Sequence, residues 1–153
     1  MGKYDKYVVQ MYKPGVPKEL IDNDMHCKFL WMDETTIHGA PYIEVLWYYK
    51  PYDYGPNSHY HNEDEFLGFI GSDPEDPTNL HARVRVTIDG EDIFITKSSL
   101  VYIPAGIPHS IFAIEEMDRP ILHFSGGPNQ INEKLGNSLG FKNYDDLTKE
   151  QQE

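Results

Sequence analysis

The sequence has 153 residues, of which 39% are hydrophobic, and this is enough for one domain with its own core. Its formal net charge of −12 disfavours nucleic acids and anionic membranes as partners, because both carry negative charge. A single cysteine, Cys27, excludes disulfides within the chain, and no apolar run approaches the length that spans a bilayer. We therefore expect a soluble, cytoplasmic protein without nucleic-acid or membrane partners.

The first 40 residues show little regular patterning, and we expect an N-terminal arm and an irregular segment that pack on the main domain. A short β-prone run at residues 7–12 predicts an edge strand, or an arm onto a neighbouring copy, which favours a homodimer. Pro17 can begin one helical turn over residues 17–21. Residues 26–31 mix apolar and polar side chains without a clear period, so no element is predicted there.

The first clear strand pattern covers residues 42–50, where side chains alternate along the chain. One face carries Ile43, Val45, Trp47 and Tyr49, and the other carries Glu44, Tyr48 and Lys50. We expect the apolar face to point inward. Across the domain, the residues predicted to line the interior are Trp47, Tyr49, Leu67, Phe69 and Ile111.

The rest of the chain also favours strands. Residues 81–88 alternate with Val84 and Val86 inward, and Asp89-Gly90 predicts a tight hairpin to a return strand at residues 91–96. The other predicted strands cover residues 65–70, 100–104, 109–114 and 120–125. After them, Asn129 can begin a short helix.

Many short strands separated by turns, with few helical runs, are typical of an all-β sandwich or a jelly-roll β-barrel. We expect a single domain, with the arm at residues 1–40, the barrel at 41–126 and a short helical or irregular C-terminal tail at 127–153.

Between two predicted strands lies a group of residues with the chemistry of a metal site. His59 and His61 are two positions apart, so on a strand both side chains project to the same face. Glu65 can join them if the chain turns over the polar residues 62–64, and His109 is a fourth candidate further along. Imidazoles and a carboxylate suit a divalent first-row metal ion. Glu63 and Asp64 are the alternative carboxylates, which we interpret as exposed turn residues.

These two stretches resemble the two motifs of the cupin superfamily. His59-x-His61-x3-Glu65 fits the first motif, and Pro104-x-Gly106-x2-His109 fits the second. The departures lie at flanking positions, where the gap from Gly55 to His59 is two residues short, Gly71 falls one residue early, and Ser98 and Ala113 replace a glycine and an asparagine. The resemblance covers about residues 40 to 125.

The resemblance implies a jelly-roll barrel around one divalent transition-metal ion (Fe, Mn, Ni, Co or Zn), and dimers are frequent in the family. Its members include dioxygenases, isomerases, lyases and non-catalytic binding proteins, so the reaction stays open. We expect a metal-dependent enzyme for a small polar, oxygen-bearing molecule, or else a non-catalytic module that binds a small molecule or metal.

Several further residues are candidates for contact with such a ligand. Tyr102 and His123 are the candidate catalytic groups, and His81 is a third polar group that could lie near the metal or the substrate. Tyr52 and Tyr54 flank the metal loop, where either a surface position or a hydroxyl near the ion fits the sequence.

Overall fold

The computed structural model describes residues 2–55, 57–128 and 142–143. Within them the chain forms twelve strands, one short α-helix and one 3-10 helix, and none of the described helices is long and apolar enough to cross a membrane. The helices are the 3-10 helix Asp5–Tyr7 and α1 (Lys18–Ile21). The strands are β1 (His26–Met32), β2 (Tyr42–Tyr48), β3 (Tyr52–Asp53), β4 (Ser58–Tyr60), β5 (Glu65–Gly71), β6 (Asn79–Ile88), β7 (Glu91–Lys97), β8 (Ser99–Ile103), β9 (His109–Ser110), β10 (Ala113–Met117), β11 (Ile121–Gly127) and β12 (Lys142–Asn143).

The strands build two antiparallel sheets. One sheet has the order β1-β2-β11-β5-β8, and the other has the order β12-β4-β9-β6-β10-β3 with β7 paired to β6. This arrangement confirms the predicted all-β barrel. The helix predicted from Asn129 lies outside the described residues.

The hairpin between β6 and β7 is confirmed together with its turn. Asp89 and Gly90 have φ values of 49° and 80°, the positive values that a type I′ turn requires at both central positions. The flanking pair Ile88 and Glu91 closes the ladder. The register that follows points Val84 and Val86 into the barrel, where both are fully buried.

The core lies between the two sheets. Val84 and Val86 from β6 form one hydrophobic cluster with residues of the opposite sheet, including Phe69 on β5 and Ile121 on β11. Phe69 and Leu67 are buried, as predicted, and Ile111 is half-buried at the cavity described below.

The orientation predicted for β2 is wrong. Tyr42, Leu46 and Tyr48 are buried, whereas Trp47 is half-buried and Tyr49 is 42% exposed. The face that carries Glu44 is therefore the inner face, and Trp47 and Tyr49 do not line the interior. The prediction failed because β2 carries apolar side chains on both faces, and its one inner carboxylate made the inner face resemble a solvent face.

Strand β1 was not predicted, and its geometry explains why. The register with β2 shifts between Lys28 and Leu30, so that Phe29 forms a bulge. A bulge breaks the alternation by which a strand is recognised in a sequence. The predicted edge strand at residues 7–12 is also wrong, because after the 3-10 helix this segment forms no strand. It lies instead against its own barrel, where the Trp31 amide donates to the Met11 carbonyl at 3.2 Å.

Candidate metal centre

The pairing of β4 with β9 brings the two motifs together. His59 lies directly opposite His109 in this ladder, and residues directly opposite each other in a sheet project from the same face. His61 follows the end of β4, and Glu65 begins β5. Each of the four predicted ligands therefore sits at or next to a strand end.

Backbone contacts fix the loops that carry these residues. The Gly106 amide donates to the His61 carbonyl at 2.8 Å, and the Ala105 amide donates to Oδ1 of Asp64 at 2.9 Å. Gly106 has a φ of 82°, which glycine adopts without strain. Asp64 thus holds the second-motif loop, and both Asp64 and Glu63 are exposed.

Three histidines meet in the barrel interior. His59, His61 and His109 are each at most 4% exposed, and their candidate ligand nitrogens all lie within 4.8 Å of one another. Three buried imidazoles at this separation could hold a metal ion.

Glu65 reaches two of the three histidines with one carboxylate oxygen. Its Oε2 atom lies 2.5 Å from Nε2 of His61 and 3.3 Å from Nε2 of His109. Burial alone would raise the pKa of the Glu65 carboxyl, but its contacts with His109 and His61 outweigh burial and lower that pKa to about 2. The carboxylate is therefore charged at neutral pH, as a metal ligand must be.

The outer nitrogens of two histidines are held by oxygen atoms. Nδ1 of His109 donates to the Ile107 carbonyl at 2.9 Å, and Nδ1 of His59 lies 3.3 Å from Oδ1 of Asn57. A proton on Nδ1 leaves the lone pair on Nε2, which is the usual arrangement of histidine ligands in proteins. Burial, followed by the neighbouring His109 and His61, lowers the pKa of His59 to about 3, so its imidazole is neutral at pH 7.

The donor set fits a divalent transition metal. Within the described part of the chain, Nε2 of His109 and Oε2 of Glu65 are buried without a hydrogen bond, although they lie close to each other. Buried polar atoms are normally satisfied, and a cation between them would satisfy both. His59, His61, His109 and Glu65 are the residues that would hold it.

A cavity of about 250 Å³ opens onto this group. Phe112, Leu46 and Tyr48 supply much of its apolar wall, and His123 and Tyr54 also line it. His123 is 4% exposed, donates from Nδ1 to the Gly68 carbonyl at 2.9 Å, and stacks on Phe69. Burial lowers its pKa to about 4, which keeps the ring neutral at pH 7.

Three of the sequence candidates are not in the cavity. Tyr102 is 64% exposed on β8, so it is not a pocket hydroxyl. The assignment failed because the inward residues of this strand are its neighbours, among which Ile103 is 1% exposed. His81 lies elsewhere, with its two ring nitrogens 3.3 Å from carboxylate oxygens of Asp73 and Asp118. Tyr52, at 36% exposure, also lies outside the cavity lining.

Sequence reasoning missed a second polar group at the cavity. Lys28, Tyr42, Glu44 and Ser125 line it together with the histidines. The available signal was Glu44, a lone carboxylate in an otherwise apolar and aromatic strand. The face of β2 that carries Glu44 was instead predicted to point outward.

The two-sheet barrel and the convergence of both motifs inside it decide the fold. The fold is cupin-like. This confirms the resemblance that the two motifs indicate.

No protein-family model matches the sequence, and no curated protein matches it. Solved structures that resemble the cupin-like chain include a cupin protein from Bacteroides fragilis, with 16% identity over 90% of this chain and 88% of that chain and a TM-score of 0.41. The polyketide cyclase RemF from Streptomyces resistomycificus matches with 14% identity over 82% and 73% and a TM-score of 0.43. A chain described under DMSP lyases RdDddP and RnDddQII matches with 14% identity and a TM-score of 0.45, over 84% of this chain and 60% of its own length. At these values the activities of those proteins do not carry over to this chain.

Proposed function

We propose that the protein is a metal-dependent enzyme that acts on a small, polar, oxygen-bearing molecule at one metal ion. The ligands would be His59, His61, His109 and Glu65. The observation that supports this most directly is the burial of three imidazoles and a charged carboxylate inside the barrel, beside a cavity. A structural ion would not need that cavity.

The number of ligands also favours reactivity. Three histidines and one glutamate leave one or two positions of a five- or six-coordinate ion open, and open positions distinguish catalytic from structural metal sites. When bound, the metal would act as a Lewis acid toward a substrate oxygen, or would activate water or dioxygen. The cavity of about 250 Å³ lies below the range of drug-sized sites, which suits a molecule of a few heavy atoms.

The residues around the cavity would orient this molecule and exclude water. Phe112 and Leu46 supply apolar surface, and His123 presents a neutral imidazole whose Nδ1 proton is committed to the Gly68 carbonyl. Its Nε2 atom is then a proton acceptor, which makes His123 the remaining candidate for acid–base work. The chemistry fits a dioxygenase or an isomerase or lyase.

The test combines metal analysis with a turnover screen. Purified protein should contain about one transition-metal ion per chain after supplementation. Small oxygen-bearing molecules that raise its melting temperature are then incubated with it, in air and without oxygen. Conversion only in air with Fe(II) supports a dioxygenase, and anaerobic conversion supports an isomerase or lyase. Ligands that stabilise the protein and are all returned unchanged would instead support a non-catalytic binding module.

A further inference from the structure

The cavity has a second polar group besides the metal centre, which we name the mouth cluster: Lys28, Glu44, Tyr12 and Tyr42. Lys28, Tyr42 and Glu44 line the cavity, and Tyr12 contacts Glu44 from the N-terminal arm. None of these residues belongs to the two histidine motifs, so the metal centre alone does not account for them.

The strand geometry places the mouth cluster close to the metal centre. The bulge at Phe29 lets both Lys28 and Trp31 face inward although they are three positions apart. Glu44 on β2 pairs with Ser125 on β11, which pairs with Leu67 on β5, and Glu65 is the next inward residue of β5. Strands separated by one neighbour lie about 10 Å apart, so a molecule of about four to six heavy atoms in a row could span the two groups.

Glu44 already has protein donors on both oxygens. The Tyr12 hydroxyl donates to Oε1 at 2.7 Å, and the Tyr42 hydroxyl donates to Oε2 at 2.9 Å. Burial, followed by the negative charge of Glu44, raises the pKa of both tyrosines, so both remain protonated donors. Glu44 is thus held in one position rather than offered to a ligand.

The Lys28 ammonium lies over the Tyr12 ring, 5.9 Å from the ring centroid, but no protein acceptor takes its hydrogen bonds among the described residues. Its Nζ atom lies 3.6 Å from Oε1 of Glu44, which is too long for a hydrogen bond, and its side chain is 30% exposed. Within the described part of the chain it makes no hydrogen bond, and it is the one lysine or arginine among the described residues that line the cavity. An ammonium group has three donors and no acceptor.

The tyrosine pair at the cavity adds one more donor. The Tyr48 and Tyr54 hydroxyls lie 2.9 Å apart, and one hydrogen bond between two hydroxyls uses one of their two protons. Either hydroxyl can be the donor of that bond, and both side chains line the cavity, so one hydroxyl proton of the pair remains available there.

Apart from the metal centre and Nε2 of His123, the unused hydrogen-bonding capacity around the cavity is therefore donor capacity, and it calls for an acceptor-rich ligand. We propose that Lys28 binds a carboxylate group of the substrate while Glu44 positions the ammonium, so that the substrate is a small carboxylate with an oxygen function that reaches the metal. This inference rests on the proposed function, because it describes the substrate of the same site. A cationic ligand on Glu44 would meet Lys28 at once, and the two positive charges would repel each other.

The test uses zinc-loaded protein, since zinc has no redox chemistry, and two probes of equal length. Succinate carries two carboxylates, and succinamate replaces one of them by an amide. Calorimetric titration of wild type should give succinate an affinity about tenfold or more above that of succinamate. This is the difference in affinity expected from one charged hydrogen bond. Lys28→Met should abolish the preference, and Lys28→Arg should keep part of it. Lys50→Met is the matched control, because Lys50 pairs with Asp24 outside the cavity. It should keep the full preference.

Acetate titrations and zinc content separate the two proposals. If wild type takes up no zinc, the proposed function fails and this inference fails with it. If zinc and acetate bind but the succinate preference is equal in wild type and Lys28→Met, only the inference about Lys28 is overturned. Binding of 3-aminopropanol that is lost in Glu44→Gln would also overturn it, in favour of a cationic substrate. Lys28→Gln serves as a second neutral variant should Lys28→Met fold poorly by circular dichroism.

Discussion

The Nε2 atom of His61 lies 2.5 Å from the Oε2 atom of Glu65, with neither side chain more than 10% exposed. Such a short contact needs a proton or a cation between the two atoms, since otherwise two lone pairs would face each other. A proton fills that place in the metal-free protein, and a divalent cation can fill it in the metal-bound form. The site is thus a place where proton and metal compete.

We expect His61→Ala and His109→Ala to lose the metal. Each removes one of three clustered imidazoles, and two remaining imidazoles hold a divalent ion far more weakly than three. Metal content after dialysis should fall from about one ion per chain to a small fraction of that. The control is His81→Ala, which removes a histidine outside the cavity and should leave the content unchanged. Elemental analysis checks this, and full metal retention in both site variants would contradict the assignment.

Glu65→Gln tests the proposed fourth ligand separately. Glutamine keeps the size of the side chain but removes its charge, so the site loses a charged donor and the metal affinity should drop by roughly tenfold or more. Glu63→Gln is the matched control, because Glu63 is exposed and two positions away. Competition with a chelator measures both affinities. Equal affinities in the two variants would leave three histidines as the complete ligand set.

Much of the fold follows from side-chain alternation, and the failures have a common cause. The hairpin at Asp89-Gly90 and the inward Val84 and Val86 obey simple rules, since no functional residue interrupts that strand. Strand β2 breaks the rule, because Glu44 lies on its inner face. The four candidate metal ligands do lie close together, because short strands and one turn bring them to one place. Spacing indicated the group of His59, His61 and Glu65, and the resemblance of the second motif supported His109.

The second polar group was not predictable in the same way. It depends on the bulge at Phe29, which turns Lys28 inward, and on the arm that delivers Tyr12 to Glu44. In a single sequence, a bulge is visible only as an interruption of the two-residue alternation of a strand. A carboxylate within an otherwise apolar strand is the one clue that a sequence offers for such a group.

The homodimer stays a prediction. The N-terminal arm contacts its own chain, where the Tyr12 ring lies 5.7 Å from the Trp31 ring, so dimerisation need not bury it. Other exposed apolar side chains, such as Leu100 at 76% exposure, offer surface for a second copy. Light scattering should give twice the monomer mass at micromolar concentrations, and a monomer throughout that range would contradict the prediction.

His123 should make the metal-free protein sensitive to acid. Its pKa is about 4 in the folded chain and about 6.5 when exposed, so the unfolded state binds the proton more readily between these values. Stability is therefore present above pH 6.5 and is lost as the pH falls toward 4, by about 2 kcal/mol between pH 7 and pH 5. His59 has a shift of the same sign, so the contribution of His123 must be isolated by difference.

The variant that isolates it is His123→Phe, which keeps an aromatic ring against Phe69. It loses the bond to the Gly68 carbonyl, which lowers stability at every pH, but it has no proton to gain. Urea unfolding at pH 7 and pH 5 should give a smaller loss of unfolding free energy for the variant than for wild type. Parallel pH dependences in the two proteins would show that His123 does not titrate in this window.

Gly71 and Gly68 on β5 offer a matched pair for backbone packing. A Cβ at Gly71 would collide with the backbone carbonyl oxygen of Asn79 at the start of β6, which can move only if the strand moves. A Cβ at Gly68 would collide with the tip of the Phe124 ring, a half-buried side chain that can rotate away. Both substitutions to alanine restrict the unfolded chain equally, so this contribution cancels between them.

Gly71→Ala should therefore lower the free energy of unfolding by roughly 1–3 kcal/mol, and Gly68→Ala by clearly less. Gly71 is also the glycine that lies one position early relative to the first-motif pattern. Because a Cβ at this position would collide with Asn79, the structure gives a reason for a glycine there. Thermal unfolding of the two variants side by side measures the difference. If Gly68→Ala were the more destabilised protein, the close approach of β5 to β6 at Gly71 would not be what requires glycine at that position.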